Sequence, residues 1–288
     1  MPDDQPVVSE PMGEVMRLRS LLCGVVLMGM AGEACAADMP DFLRGSQTTI
    51  DASGPTRWDG FYFGGQVGAT WSGTDFSGAT QSLVAFILRN TTIEREEQVS
   101  KWTTLGKYEA NGFSYGAFFG WQKQFDNVVV GFEGNYNRTD LRASSSDSMR
   151  RLFTTSEGRQ NDVTVIASSQ SHVTDFGTLR IKGGWAVDCF MPYGFVGLAI
   201  GRMDVTSTAR VIASGFDPTG ANPPYSLDQS NSNAVQAGLA YGYTAGLGLD
   251  YAVMQNVFVR AEYEYVQLNG FDLKTSIQTA RVGAGLKF

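Results

Sequence analysis

Thr279-Ala280-Arg281-Val282-Gly283-Ala284-Gly285-Leu286-Lys287-Phe288 is the stretch whose reading decides the fold. Ala280, Val282, Ala284, Leu286 and Phe288 are apolar, and each odd position among them is polar or glycine. Period two is the signature of a β-strand with one greasy face. The sequence stops on Phe288. A strand in that place needs both edges paired, because an open edge is a template for aggregation. The rest of the chain is therefore expected to supply a sheet that closes on it.

Seven more stretches alternate in the same way. One runs from Phe61 to Ser72, with Phe61, Phe63, Val67, Ala69 and Trp71 on one face and Tyr62, Gln66 and Thr70 on the other. Phe113 to Gln122 and Val128 to Asn137 follow, separated by a tight turn at Gln124–Asn127. Thr178 to Trp185 is the fourth, and Tyr193 to about Val205 the fifth, apolar on both faces and without a clear register. Val235 to Tyr251 is the longest, and Val257 to Tyr265 leads into the closing stretch. Short turns near 124–127, 187–190 and 252–256 alternate with long links over 73–109, 143–171 and 207–232, and 269–275 is brief. Strands of ten or more residues match the ~9–11 that cross a tilted bilayer. The expected fold is all-β: an eight-stranded antiparallel up-and-down transmembrane β-barrel with short periplasmic turns and long extracellular loops.

Composition decides which face is outside. Only 18% of residues are charged, while 34 are glycine and 12% are aromatic. A water-facing sheet would carry many lysines; here the polar face is mostly glycine, serine and threonine. Trp58, Trp121, Trp185 and Tyr251 fall near the tight-turn rim and Trp71 near the other, as an aromatic girdle at the two membrane interfaces would. A soluble barrel enclosing a ligand is the competing architecture. Net charge is −7, of which residues 1–36 hold five acids and two arginines, so no basic field invites nucleic acid.

Met16-Arg17-Leu18-Arg19, the apolar run from Leu21 to Met30, and Ala34-Cys35-Ala36 form the three parts of a signal peptide over 1–36, with Met16 a possible true start. A flexible periplasmic lead-in is expected at 37–57 and the barrel at 58–288. Cys189 is then the one cysteine of the mature chain and His172 its one histidine, which argues against a disulfide framework and a zinc cluster.

Here the residues carry a family resemblance. Trp58-Asp59-Gly60-Phe61-Tyr62-Phe63-Gly64-Gly65 resembles the opening of the small alphaproteobacterial outer-membrane β-barrel proteins, the opacity-type or porin-like major surface antigens. Phe176 to Gly184 is similar to that family's fourth strand, and Pro192-Tyr193-Gly194 to its fifth. The closing stretch resembles its carboxy-terminal assembly signal, carried by Leu286 and Phe288 and read by the outer-membrane assembly machinery. The resemblance implies a Gram-negative outer-membrane location and a structural, surface-antigen role. Outer-membrane lipid and lipopolysaccharide are the implied surroundings. The first loop is longer and more apolar than in the family.

Inside such a barrel side chains fill the space. Glu133, Arg180, Lys182, Arg260, Glu262, Glu264 and Arg281 fall on the inward face, with Lys287 at the rim, and should pair as a lumen charge network. A solid polar plug is expected; a narrow porin is the competing reading. Ser171 and His172 suggest a lipid-modifying serine–histidine pair, but neighbours on a strand point to opposite faces. The chain is therefore read as no enzyme and without a cofactor. His172 remains the one histidine candidate for heme iron, with Tyr108, Tyr115 and the methionines as weaker options. Leu83-Val84-Ala85-Phe86-Ile87-Leu88 in the first loop reads as the core of a hairpin with Val99–Leu105, or as an exposed patch for a host or surface ligand. Arg142, Arg150, Arg151 and Arg159 could meet lipopolysaccharide phosphates.

Overall fold

The computed structural model describes residues 57–103 and 105–288. The signal peptide expected at 1–36 and the lead-in at 37–57 lie outside the described residues, apart from Arg57. Eight strands run in chain order: β1 (Gly60–Asp75), β2 (Lys107–Phe125), β3 (Val128–Thr154), β4 (Gln160–Trp185), β5 (Phe190–Phe216), β6 (Tyr225–Ala252), β7 (Val257–Gly270) and β8 (Leu273–Lys287). Each pairs antiparallel with the next, and β8 returns to β1 from Tyr62↔Lys287 to Asp75↔Lys274, closing the barrel. Tight turns at 126–127, 186–189 and 253–256 make one rim. The other rim carries the segment 76–106, the connections 155–159 and 217–224, and the turn Phe271–Asp272.

The lower half of the wall is greasy outside. Phe61, Phe63, Val67 and Trp71 on β1 are exposed, as are Phe132 and Tyr136 on β3 and Leu239 to Tyr251 on alternate positions of β6. β5, whose register the sequence leaves open, turns Val196, Leu198 and Ile200 outward and Tyr193, Phe195 and Ala199 inward. Both faces are apolar because two aromatic side chains are needed to fill the lumen at that level.

Two long links expected as loops are strand. Residues 143–154 extend β3 and 160–171 extend β4, and 207–216 and 225–232 do the same for β5 and β6. Here the wall is inside out: Val163, Val165, Ala209, Val211 and Ala213 are buried on the inner face, while serines, threonines and arginines face outward. The expected transmembrane barrel would meet water and not lipid above its apolar band, which puts the greasy face inside there. The change of face occurs at three irregularities, between Arg138 and Leu141, Val173 and Asp175, and Met203 and Val205. An extra residue in β4 and another in β6 reverse the parity there, which is what a bulge does. Val235 consequently pairs with the inward Val205 and shares its face, against the continuous outward run expected from 235 to 251. Ala237 adopts φ 51, and its N–H donates to Asp204 Oδ1 at 2.7 Å, which holds the β6 bulge.

The first loop is helical, correcting the hairpin expected from Leu83–Leu88 paired with Val99–Leu105. α1 (Gln81–Ile87) and α2 (Thr92–Glu97) are followed by a short turn of helix at Val99–Lys101. A short run of continuous apolar residues does not reveal its own period. In three dimensions Leu83, Val84 and Leu88 share one buried side with Ile93, Val99 and Trp102, against the inner face of β4 and β5. Thr91 caps α2, its side chain accepting from Glu94 N at 3.2 Å. The run is not an exposed patch either; Phe86 alone of its large side chains is open, beneath Arg89 at 4.2 Å.

Candidate functional site

The interior is filled in layers. At the tight-turn rim Trp58, Tyr62, Phe118, Met191, Tyr193 and Phe258 form an apolar floor. Trp58 was expected in the outer girdle, but it is 1% exposed and meets Phe258 edge-on at 6.3 Å. Gly60, at φ +117, makes the turn that tucks Trp58 under the barrel mouth while Phe61 starts the outer face. A side chain with a Cβ is strained at that φ. Gln122 Nε2 donates to the Trp58 carbonyl at 2.6 Å, and Trp58 N–H donates to Gln124 Oε1 at 2.8 Å. Trp71, Trp121, Trp185 and Tyr251 do face outward. So do Leu286 and Phe288, whose ring stacks on Phe63 at 5.7 Å.

Above the floor the barrel brings together all seven inward charges picked out from the sequence. Arg180 reaches Glu133, Glu262 at 2.7 Å and Glu264 at 3.5 Å. Arg260 pairs with Glu133 at 3.0 Å and with Asp250 at 3.1 Å. Arg281 holds Glu262 and Glu264 at 2.6 Å each. Lys182 lies 2.6 Å from Asp250. Tyr62 and Tyr193 donate their hydroxyls to Glu133 and Glu262 at 2.7 and 2.6 Å. Arg260 also stacks over Phe118 and Arg180 over Phe195, both at 4.0 Å. The charged side chains are 0–1% exposed.

Asp250 is the member that counting missed. Without it the inward set has four bases and three acids; with it the charges cancel. Its signal was its place on the inward face of β6 beside Gly246 and Gly248, where it is 1% exposed. Lys287 stays outside the network, at the rim, where Nζ donates to the Arg57 carbonyl. Ion pairs buried this deeply pay a desolvation penalty that only complete partnering offsets. A neutral, fully paired cluster is the arrangement that meets it.

An upper apolar layer of Phe76, Leu105, Leu141, Phe176, Leu268 and Ile277 closes the lumen from above. The helical loop and the inner face of the tall hairpins cap it in turn.

His172 faces outward at the level of the bulges, while Ser171 is buried on the inner face. His172 Nε2 lies 2.8 Å from Asp140 Oδ1 and its Nδ1 3.7 Å from Asp204 Oδ2. Tyr108 and Tyr115, the weaker heme candidates, are exposed on β2, which is separated from β4 by β3. The loop arginines are engaged: Arg142 with Asp140, Arg150 with Asp162, Arg151 over the Trp102 ring, and Arg159 with the Pro223 carbonyl.

In the 217–224 connection, the Thr219 hydroxyl and N–H and the Asn222 amide donate to Asp217 at 2.6 to 2.9 Å. Those donors, the Thr219 hydroxyl foremost, hold the Asp217 carboxyl down at about 2. A depressed acid stabilises its fold above the unfolded value of ~3.9 and loses that contribution as pH falls through the folded value. The connection is therefore expected to stay protected at pH 5 and to loosen progressively between about pH 4 and pH 2. Hydrogen exchange at Thr219 and Asn222 checks this, and Asp217→Ala should exchange fast at every pH.

Comparison with known proteins gives four findings. The family model described as the outer membrane protein beta-barrel domain matches residues 49–288. The 31 kDa outer-membrane immunogenic protein of Brucella melitensis is 26% identical over 296 residues, covering 94% of this chain and 100% of that protein. The 25 kDa outer-membrane immunogenic protein of Brucella ovis is 27% identical over 66% of this chain and 70% of its own length. Among solved structures, Ail, the attachment invasion locus protein of Yersinia pestis, covers 80% of this chain and 99% of its own, at 16% identity and a TM-score of 0.31.

Proposed function

This chain belongs to the outer membrane protein beta-barrel domain family, and from that premise we propose that it is a sealed structural barrel presenting a rigid surface antigen. It is an outer-membrane protein whose eight strands cross the bilayer. One observation carries the sealed reading: the charges at mid-lumen are 0–1% exposed and fully paired, between an apolar floor and an apolar upper layer. What remains outside is a folded platform of four tall strands stiffened by α1 and α2, suited to being met by other molecules. Two relatives carry the word immunogenic in their names, in keeping with an antigen role here. A non-enzymatic role belongs to this reading, because Ser171 and His172 lie on opposite faces of β4 and so cannot act as a pair.

The test is side-specific labelling. A Cys189→Ser/Ala221→Cys variant should react with a membrane-impermeant maleimide on intact cells, since Ala221 is exposed in the 217–224 connection. Cys189, in a tight turn, should react in the parent protein only after the outer membrane is permeabilised. Labelling of Cys189 on intact cells would reverse the orientation and remove the platform from the cell surface.

A further inference from the structure

The tall strands form a sheet that is open on two sides. β2 pairs with β3 no higher than Ser114↔Thr139, and β7 with β6 no higher than Tyr241↔Asn269. Above those pairs β3 has only β4 beside it and β6 has only β5. Among the described residues no further backbone hydrogen bond reaches 141–153 or 225–240. The helical loop packs on the inner face and exchanges no backbone bond with either edge. Each edge therefore carries a row of unpaired N–H and C=O groups, a template for pairing with another chain.

The two edges are not alike. β3 carries Asp140, Arg142, Asp147, Arg150 and Arg151 along its open side, and charges of this kind keep an edge from pairing. On β6, residues 229–240 read Gln-Ser-Asn-Ser-Asn-Ala-Val-Gln-Ala-Gly-Leu-Ala, with no charge and no proline. The ladder of β6 with β5 is regular from Tyr225 to Val235 and breaks only below that. The undefended edge is thus regular as well as uncharged. Tyr225 and Leu227 are only partly buried there, at the margin of the apolar cluster that Ile87 of α1 also borders. A strand added beside them would meet apolar side chains on its inner face and water on its outer one.

We propose that the upper edge of β6 captures an extended segment of another protein by adding it to the sheet as a further strand. The segment is uncharged where it faces 229–235, apolar at alternate positions, and hydroxyl- or amide-bearing between them. Backbone bonds supply the affinity of such a pairing and alternate side chains its selectivity. A second copy in the same membrane does not fit. β7 fills the neighbouring lane from Asn269 downward, so an added strand must end above the Phe271–Asp272 turn, whereas another copy's tall strands continue into their own barrel. The proposal rests on the tall strands being a surface platform and adds how a partner attaches. Labelling at residue 221 tests the platform and the titration below tests the edge, so either can fail alone.

The probe is a labelled peptide of residues 205–216 carrying Arg210→Thr. Its parent sequence already pairs antiparallel with 225–235 on the other side of β6. Titrated into the purified full chain in detergent micelles, it should bind saturably and slow hydrogen exchange at alternate amides of β6 between 225 and 235. N-methylation of alternate peptide amides should abolish binding in one parity and spare it in the other, because only one side of an added strand faces β6. Gln229→Lys/Asn233→Lys should weaken binding at least about tenfold through lost backbone pairing. Both positions are exposed, and heat-modifiable gel mobility reports separately that the variant folds. Ser146→Lys/Ser148→Lys on the β3 edge should change nothing. Absence of saturable binding, equal loss with either methylation parity, or undiminished binding to the folded β6 variant overturns the proposal. So does a dimer in micelles that the β6 variant dissolves, which would make a second copy the occupant.

Discussion

Glu133→Ala is expected to cost about 3–5 kcal/mol, because removing one partner of a buried cluster strands the others. Glu133 takes Arg180, Arg260 and the Tyr62 hydroxyl at once, all within a region of 0–1% exposure. Its loss leaves a net positive charge where no water can screen it. The urea midpoint of the folded band in lipid vesicles measures the effect. Adding Arg180→Gln to Glu133→Gln restores neutrality, so the pair of changes should cost less than the sum of the two alone. The exposed pair Arg210–Asp228 is closer, at 2.6 Å, than Arg260–Glu133 at 3.0 Å, yet both its side chains are 50% exposed. Asp228→Ala should therefore leave the urea midpoint almost unchanged. Burial, not ion-pair distance, decides between the two.

The second large effect concerns the outside of the wall. Leu247 and Leu152 are 70% and 76% exposed, so in water the two would respond alike to arginine. Leu247 lies in the apolar band of β6, and Leu152 on the outward face of β3 near its turn with β4. Leu247→Arg should cost about 2–4 kcal/mol, the penalty of a cation facing lipid near mid-bilayer. Leu152→Arg should stay within about 0.5 kcal/mol, as for most surface changes. Both are read as the fraction folding into vesicles against urea. Equal and small effects would mean that water, and not lipid, bathes the lower wall.

Much of this was legible in the sequence, and the limits have physical causes. The lower half of each strand could be read because lipid makes the outward face apolar and the lumen makes the inward one small or charged. That contrast placed Glu133, Arg180 and Arg260 in one interior before any coordinates. At the level of Arg138 the contrast fades: valines and alanines move inside, short serines stay outside, and the period-two signal weakens where β4 and β6 change parity at a bulge. A bulge has no sequence mark of its own, which is why Val235 was put on the wrong face. The helix at Gln81–Ile87 was hidden for another reason, since six consecutive apolar residues fit a buried strand as well as a helix. Trp58 read as a girdle residue because it lies beside the first strand; the positive φ at Gly60 that turns it inward shows only in three dimensions.

The central claim is that the lumen is sealed, with a neutral ion cluster standing where a pore would run. Single-channel recording on the purified full-length barrel in planar bilayers tests it most directly. The account predicts a quiet baseline without steady conductance steps across the accessible voltage range, because no water path crosses the paired charges or the apolar layers on either side. Large, long-lived open steps from the parent protein would contradict it.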